Sequence, residues 1–247
     1  MGTFKPNVIV HLAAQAGVRC SLESPRAYLE SNIVGTFKVM EASRKLEVQY
    51  LLMVSTSSIY GTNGHMPFDE LERVEIPLTF YAAAKKANES MAHSYAHLRN
   101  LPKPMFRFLP SMVLEGTRIC AVQIHQRRLD GAPIDIHNNG DMARDFTYFE
   151  DLVRGIRLLI DATPVRFASR DYIAPGDSLS PVAPFRVVNI GNSDKVQLLD
   201  FIDAIEEEVG IRAILNYMEM QKGDVCQCRR SKNSHRVSAS HDRSRGY

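Results

Sequence analysis

The chain has 247 residues, of which 45% are hydrophobic and 23% are charged, and its formal net charge is +2. This length suits one domain, or one domain with a small appendage, and it allows a sizeable core. The composition is that of an ordinary globular protein, which excludes a fibrous or wholly disordered chain.

Two further classes are excluded by local features. No apolar run approaches the roughly 20 residues that a membrane span requires, and the first residues lack the basic-then-apolar layout of a secretory signal. We therefore expect a cytoplasmic protein with no membrane partner. The four cysteines are too scattered for a disulfide framework and form no complete zinc motif, so we expect free thiols and no metal. They are Cys20, Cys120, Cys226 and Cys228.

The positive charge is concentrated in the last 22 residues. Residues 226–247 hold six Lys or Arg against one Asp, which leaves 24 basic and 27 acidic residues in the rest. This Ser/Arg/His tail has few apolar residues, a composition typical of disorder. Nucleic-acid binding would need basic residues on a folded face, so we expect no nucleic-acid partner and keep tail-mediated binding as an alternative.

Apolar runs and amphipathic segments alternate along the first 109 residues. Residues 8–12 and 49–55 are typical of buried parallel strands, and residues 25–47 between them have the mixed three- and four-residue spacing of a helix. A helix over residues 81–98 and a strand over residues 105–109 follow. This order predicts an α/β fold with a parallel sheet.

The second half of the chain shows fewer clear elements. Four prolines in residues 161–184 indicate a loop or linker. The remaining patterns predict a short strand at 134–136, an apolar helical stripe within 145–160, a strand at 186–190 and an amphipathic helix over 198–209 that ends at Gly210.

Hydroxyl residues at the end of the strand 49–55 precede a tyrosine–lysine pair. Ser55 to Ser58 are all Ser or Thr, and the spacing of four puts Tyr81 and Lys85 on one helix face. A nearby ammonium stabilises a phenolate, so Tyr81 could act as a base near neutral pH, with a strand-end hydroxyl relaying the proton. Alternatively, Tyr81 is a half-buried helix residue and Lys85 a solvated charge. The hydroxyl-rich strand end favours the catalytic interpretation.

Six segments of the sequence, in order, resemble motifs of the extended short-chain dehydrogenases. They are HLAAQAGVR, SNIVGT, STSSIYG, YAAAKKANE, ARDFTYFEDLVRGI and VVNIGN. The resemblance extends from about Pro6 to Val225, except for one stretch, and within the NAD-dependent epimerase/dehydratase family it points to the UDP-glucuronate 4-epimerases. It implies a Rossmann-like, doubly wound parallel sheet with a smaller C-terminal substrate lobe.

The resemblance also implies a division of the chain and a reaction. Residues 1–109 would form a partial NAD-binding domain with the catalytic motifs, residues 110–225 would complete the sheet and form the substrate lobe, and residues 226–247 would be the tail. The family reaction passes the C4 hydride of a UDP-sugar to NAD and returns it to the opposite face of the 4-keto sugar. UDP-glucuronate would become UDP-galacturonate.

Individual roles follow from the matched positions. Tyr81 resembles the catalytic base, Lys85 the residue that lowers its pKa and holds the nicotinamide ribose, and Thr56 their hydroxyl partner. The other implied contacts are Ala13, Ala14 and Asn32 with the cofactor, and Thr56, Ser57, Ser58, Arg144 and Arg19 with the substrate.

Several of these residues also have a physical rationale. Small side chains at Ala13 and Ala14 let the backbone lie against a cofactor, and the planar fork of Arg144 suits diphosphate oxygens. Related dehydratases and decarboxylases carry a glutamate at the position of Ser58, so its absence favours epimerisation. We expect Asn32 to give structural support and His11 to be a packed core histidine.

The sequence departs from the family pattern in three places. It lacks the glycine loop and the first strands that precede the matched region in the family, so we expect weak NAD binding and an exposed apolar edge of the sheet. Residues 109–123 do not match the family although both flanks do, as two compensating frame shifts would produce. The resemblance ends at Val225, where the basic tail begins.

Two alternatives for the function and one question about assembly stay open. One is a C4 epimerase of another UDP-hexose, such as UDP-glucose or its N-acetylated analogue. The second is a catalytically inactive epimerase-derived fragment that associates with a related subunit. Finally, a homodimer is possible, because family members often pair through two helices per subunit, here including the helix that starts at Tyr81.

Overall fold

A computed structural model of the chain describes residues 4–18, 20–61, 63, 68–99, 105–108, 132–145, 147–192, 195–210 and 212–219. For Phe108, Arg144, Lys195 and Val209 it describes the backbone alone. The unmatched segment 109–123 and the tail 226–247 lie outside the described residues, as do three of the four cysteines. The remaining cysteine, Cys20, is a free and exposed thiol.

The described chain contains strands and helices close to the predicted positions. The strands are β1 (Val8–His11), β2 (Tyr50–Thr56), β3 (Met105–Phe108), β4 (Ile134–Ile136), β5 (Ala143–Asp145), β6 (Val187–Ile190), β7 (Lys195–Gln197) and β8 (Leu215–Tyr217). The α-helices are α1 (Cys20–Glu23), α2 (Pro25–Tyr28), α3 (Thr36–Lys45), α4 (Phe80–Arg99), α5 (Phe149–Asp161) and α6 (Leu198–Val209).

The main sheet has four parallel strands in the order β1–β2–β3–β6. All seven residues of β2 are buried because this strand has a neighbour on each side and helices on each face. On one face Met53 and Met105 pack with Met40 of α3 and Ala92 of α4. The other face packs against α5. Helices on both faces of a parallel sheet confirm the predicted doubly wound α/β fold.

Two small sheets follow the main one. Strands β4 and β8 pair in parallel, and β5 and β7 pair antiparallel. Ile134 and Ile136 of β4 pack against Ile202 of α6. The helix α6 has the predicted bounds and ends at Gly210, whose φ of 70° is left-handed. Strands β5, β7 and β8, of three residues each, were not predicted.

The helix predicted over residues 25–47 contains a π-helical turn. Leu29–Gly35 forms this turn between α2 and α3, and helical backbone angles continue through both junctions. The wider turn explains the mixed spacing of apolar residues in the sequence, since one extra residue shifts the buried face. It also carries the fully buried Asn32.

Strand β1 is at one edge of the main sheet. Among the described residues it pairs with β2 alone, and the side chains of Val8 and Leu12 are 38% and 49% exposed. Among the described residues β1 is therefore an edge strand with a partly exposed apolar end. No helix in the described part of the chain is long and apolar enough to cross a membrane.

Candidate active site

The carboxyl end of β2 supplies the predicted cluster of hydroxyl groups. Thr56 caps a 3-10 turn over Ser57–Tyr60, and its hydroxyl oxygen accepts a hydrogen bond from the Ser58 amide at 3.2 Å. The Thr56 hydroxyl also lies 3.3 Å from the Ser58 hydroxyl. Ser57 is buried and Ser58 is half-buried. This turn holds three of the predicted substrate contacts together beyond the strand.

Helix α4 brings the tyrosine–lysine pair to the same end of the sheet. The Thr79 hydroxyl accepts a hydrogen bond from the Ala82 amide at 3.2 Å and so caps the first turn, and the following alanines favour helix. Tyr81 and Lys85 are one turn apart on the face that meets β2. Tyr81 is half-buried and Lys85 is only 3% exposed.

The two ionisable groups differ from the predicted electrostatics. Burial raises the pKa of Tyr81, and a hydrogen bond with Thr56 opposes that rise. Lys85 is not among the groups that act on Tyr81, so the predicted lowering of the tyrosine pKa by Lys85 is not seen in this structure. The reason is the position of the ammonium, which donates to the Val54 carbonyl at 3.1 Å.

Lys85 is itself strongly perturbed. Burial lowers its pKa from 10.5 to about 8. The Val54 carbonyl is its single acceptor among the described residues, so two protons of the ammonium remain available to a ligand. The charge of Lys85 also contributes, after burial, to the lowered pKa of His11. His11 lies half-buried with its Nε2 3.2 Å from the Thr36 hydroxyl, which agrees with a packed core histidine.

The predicted cofactor residues lie at the end of the neighbouring strand β1. Ala13 is exposed and Ala14 is half-buried in the loop that follows the strand. Asn32 fastens this loop, because its side chain accepts from the Gln15 amide at 2.7 Å and donates to the Gln15 carbonyl at 3.0 Å. The structural role expected for Asn32 is therefore present.

Tyr28 links this loop to the tyrosine of α4. Its hydroxyl is 2.8 Å from the Ala16 carbonyl oxygen and 2.7 Å from the Gly17 carbonyl oxygen. Its ring meets the Tyr81 ring edge to face, with centroids 6.0 Å apart. Tyr28, which sequence reasoning missed as a site residue, thus connects Tyr81 with the loop that contains Ala13 and Ala14 and that Asn32 fastens.

The structure does not place every predicted substrate residue. The backbone of Arg144 lies in β5, but its side chain is outside the described residues, and so is the whole of Arg19. A buried ion pair beneath the site, Glu89 with Arg107, was also missed. Two signals could have found it, because Glu89 continues the four-residue spacing of Tyr81 and Lys85, and Arg107 interrupts an apolar strand. Among the described residues no group of His, Cys, Asp or Glu could hold a metal ion.

Comparison with known proteins agrees with this fold. The model of the NAD dependent epimerase/dehydratase family matches residues 1–172. A probable UDP-glucuronate 4-epimerase of Rhizobium meliloti is 45% identical over 229 residues, which are 90% of this chain and 65% of that protein. The UDP-glucuronate 4-epimerase 1 of Arabidopsis thaliana is 36% identical over 223 residues, which are 88% of this chain and 51% of that protein.

Solved structures show the same architecture. MoeE5, solved with UDP-glucose and NAD, superposes with a TM-score of 0.73 at 28% identity, over 90% of this chain and 69% of that one. A variant of the UDP-glucuronic acid 4-epimerase of Bacillus cereus was solved with UDP-4-deoxy-4-fluoro-glucuronic acid and NAD. It superposes with a TM-score of 0.74 at 25% identity, over 91% of this chain and 66% of that one.

The Rossmann-like sheet with a Tyr–Lys pair beside a Ser/Thr strand end is the arrangement expected of the extended short-chain dehydrogenases. With a family match over residues 1–172, the chain belongs to the NAD dependent epimerase/dehydratase family. It spans 65% of the length of the Rhizobium meliloti protein and about half of the Arabidopsis thaliana one.

Proposed function

We propose that this chain carries the catalytic site of an NAD-dependent UDP-sugar C4 epimerase that converts UDP-glucuronate to UDP-galacturonate. One observation carries the proposal: helix α4 brings Tyr81 and Lys85 to the carboxyl end of β2, where Thr56 lies, in a family whose members 45% and 36% identical to this chain are named for that reaction.

In the proposed reaction Tyr81 removes the proton of the C4 hydroxyl. Burial raises the pKa of its phenol, so this step needs a positive charge nearby, and the proposal is that Lys85, one helical turn away on the same helix face, supplies it once sugar and NAD are bound. The Thr56 hydroxyl acts to lower the pKa of the phenol, and in the proposed reaction it would hold the sugar hydroxyl against Tyr81. Bound NAD would supply the acceptor and donor of the C4 hydride.

The residues present fit part of an NAD molecule. The small side chains of Ala13 and Ala14 leave the loop after β1 open to a flat ligand, and Asn32 holds that loop in place. Lys85 has two protons for ribose hydroxyls, as described above.

The serine at position 58 supports epimerisation over related chemistry. Dehydratases and decarboxylases of this type need an extra carboxylate beside the sugar, whereas Ser58 presents a half-buried hydroxyl next to Thr56. Arg144 and Arg19 stay in the proposal as diphosphate and substrate contacts on the strength of the motif match. The alternative substrate is another UDP-hexose with the same C4 chemistry.

The test is turnover by the purified chain with saturating NAD. Conversion of UDP-glucuronate is measured by anion-exchange chromatography, with UDP-glucose and UDP-N-acetylglucosamine as competing substrates. Tyr81→Phe is expected to abolish conversion. The matched control is Tyr95→Phe, which also removes a tyrosine hydroxyl from α4. The Tyr95 hydroxyl lies away from the site and donates to Glu41 at 2.8 Å. Folded protein that converts none of the three sugars would refute the proposal.

A homodimer is the second part of the proposal, and exposed apolar residues on two adjacent helices support it. Val34 and Phe37 are 40% and 44% exposed, and Leu98 of α4 is 70% exposed. The Phe37 and Tyr95 rings are 6.5 Å apart, so these helices lie side by side. A second copy of the chain would cover this face.

Sedimentation measures the oligomeric state. Phe37→Glu is expected to give a monomer, and Phe167→Glu, at a similarly exposed phenylalanine in the loop before β6, is expected to leave the dimer intact. A wild-type chain that sediments as a monomer at high concentration would refute the dimer.

A further inference from the structure

A bidentate ion pair is buried beneath the candidate active site. Arg107 of β3 donates from Nε to Glu89 Oε1 and from Nη2 to Glu89 Oε2, both at 2.9 Å. The two side chains are 3% and 4% exposed. Burial alone would lower the pKa of Arg107, but the hydrogen bonds and charge of Glu89 raise it well above its usual value, so the guanidinium stays charged.

Glu89 also joins the ion pair to the strand that carries Thr56. Its Oε1 accepts a hydrogen bond from the Ser55 hydroxyl at 2.6 Å. Ser55 is opposite Arg107 in the register of β2 and β3, and it immediately precedes Thr56. One carboxylate therefore ties β2, β3 and α4 together at a single point. Lys86 reaches the outer side of the same carboxylate at 3.9 Å.

The spacing of α4 relates this point to the candidate catalytic residues. Tyr81, Lys85 and Glu89 follow one another at intervals of four on one helix face. Tyr81 meets Thr56, Lys85 meets the Val54 carbonyl, and Glu89 meets Ser55. The helix is therefore connected to the end of β2 at three successive turns, and the Glu89 connection is the one that includes an ion pair.

Arg107 extends the network to the turn that holds Ser57 and Ser58. Its Nη1 donates to the Tyr60 hydroxyl at 2.8 Å, and its guanidinium carbon lies 4.9 Å from the centre of the Tyr60 ring. The Tyr60 hydroxyl in turn lies 2.9 Å from Asn189 Oδ1 on β6. The ion pair thus fixes both the helix and the turn that border the site.

Stability alone is a poor reason for such a pair. The cost of removing two charges from water often exceeds their attraction, and apolar residues of similar volume can replace a buried ion pair with little loss of stability. Apolar packing lacks the directional hydrogen bonds that set the distance between α4 and β2. We propose that Glu89 and Arg107 are positioning residues that hold Tyr81 and Lys85 against Thr56.

The expected change in kcat rests on the proposed function. The expected change in the position of α4 rests on the structure alone. The test variant is the double substitution Glu89→Met/Arg107→Met, which removes both charges together. We expect its thermal midpoint to stay near that of the wild type and kcat to fall by about 100-fold with little change in KM, because small displacements of catalytic groups have effects of that size.

The second readout is the pKa of Lys85, followed by 13Cε NMR of lysine-labelled protein and assigned with Lys85→Met. Burial is the cause of the low pKa of Lys85. Because the Glu89–Arg107 pair carries no net charge, removing both residues should change the pKa of Lys85 only if helix α4 moves. We expect the pKa of Lys85 to rise toward its usual value as the helix moves away and water enters.

Two further variants make the outcome decisive. Asp177→Met/Arg186→Met removes an ion pair of 2.7 Å in another part of the fold and should leave kcat and the pKa of Lys85 unchanged. Ser55→Ala cuts the link between Glu89 and β2 while keeping the ion pair, and a smaller rise in the pKa of Lys85 is expected. If the double variant does not fold, the pKa of Lys85 in Ser55→Ala tests the positioning role instead.

The results separate the two proposals. A folded double variant with the wild-type kcat and the wild-type pKa of Lys85 would show that the ion pair has only a structural role. If the wild type has no turnover, the proposed function fails, and the lysine titration alone still supports or overturns the positioning role. A shift of the Lys85 pKa in the Asp177→Met/Arg186→Met control would also overturn it.

Discussion

Lys85 donates a hydrogen bond from its ammonium to the carbonyl oxygen of Val54 at 3.1 Å, and it does so while almost completely buried. Burial costs the charged form free energy and lowers the lysine pKa from 10.5 to about 8. Between these two values the folded chain binds fewer protons than the unfolded chain. The free energy of unfolding therefore rises as the pH increases through this window.

The first prediction concerns that window. From pH 8 to pH 10 the contribution of Lys85 to the free energy of unfolding should rise by about 2 kcal/mol. Urea unfolding gives the free energy of unfolding of the wild type and of Lys85→Met at each pH. Subtracting one from the other cancels the contributions of the other titrating groups. Parallel curves for the two proteins would contradict the buried, perturbed lysine.

The second prediction concerns the loop after β1. Asn32→Ala removes both hydrogen bonds to the Gln15 backbone and should lower the free energy of unfolding by about 2 kcal/mol, because each hydrogen bond of the buried Asn32 side chain contributes about 1 kcal/mol. Urea unfolding is the measurement. Ser31→Ala, at the exposed neighbouring position of the same π-helical turn, should leave stability nearly unchanged. Equal midpoints for the two variants would argue against the anchoring role of Asn32.

The third prediction concerns the turn after β2. Gly61 has a φ of 54°, and a Cβ there would lie 2.0 Å from the carbonyl oxygen of Ile76. Gly61→Ala should cost more than about 2 kcal/mol, because the added carbon forces the backbone at residue 76 to move.

Gly210 offers a matched control for Gly61. It also has a positive φ, of 70°, but a Cβ there would meet nothing within 4 Å. Gly210→Ala should therefore cost about 1 kcal/mol, from backbone strain alone. Thermal or urea unfolding compares the two alanine variants. A Gly61→Ala variant no less stable than Gly210→Ala would show that the turn is not packed as described.

The fourth prediction concerns Tyr28. Tyr28→Phe keeps the ring against Tyr81 but removes the hydroxyl that donates to the Ala16 and Gly17 carbonyls. A loss of about 1 kcal/mol and faster hydrogen exchange of the amides in residues 14–18 are expected. Tyr172→Phe, at a tyrosine that is 69% exposed, serves as the control. Unchanged exchange in Tyr28→Phe would exclude its role in holding the loop.

The sequence by itself predicted the elements whose period is strong. The buried apolar runs at β1, β2, β3 and β6 and the helices α4 and α6 appear where the patterns placed them, because burial on a sheet or helix face imposes a regular spacing on the chain. The Ser/Thr cluster and the Tyr–Lys spacing also pointed to one site. Short strands β5, β7 and β8 escaped prediction because three residues show little side-chain period, and among the strands of this length only β4 was predicted, from its Ile-Asp-Ile alternation.

Only the tertiary structure decided the electrostatics and the support of the site. Spacing placed Lys85 on the face of Tyr81, but the depth of its burial and its Val54 partner depend on β2, which is distant along the chain. In the same way, Glu89 and Arg107 are separated by 18 residues, and only the packing of α4 on β3 makes them an ion pair. A local sequence pattern determines which side chains lie on the same face of a helix. The pKa of such a side chain depends on the groups that the fold brings around it.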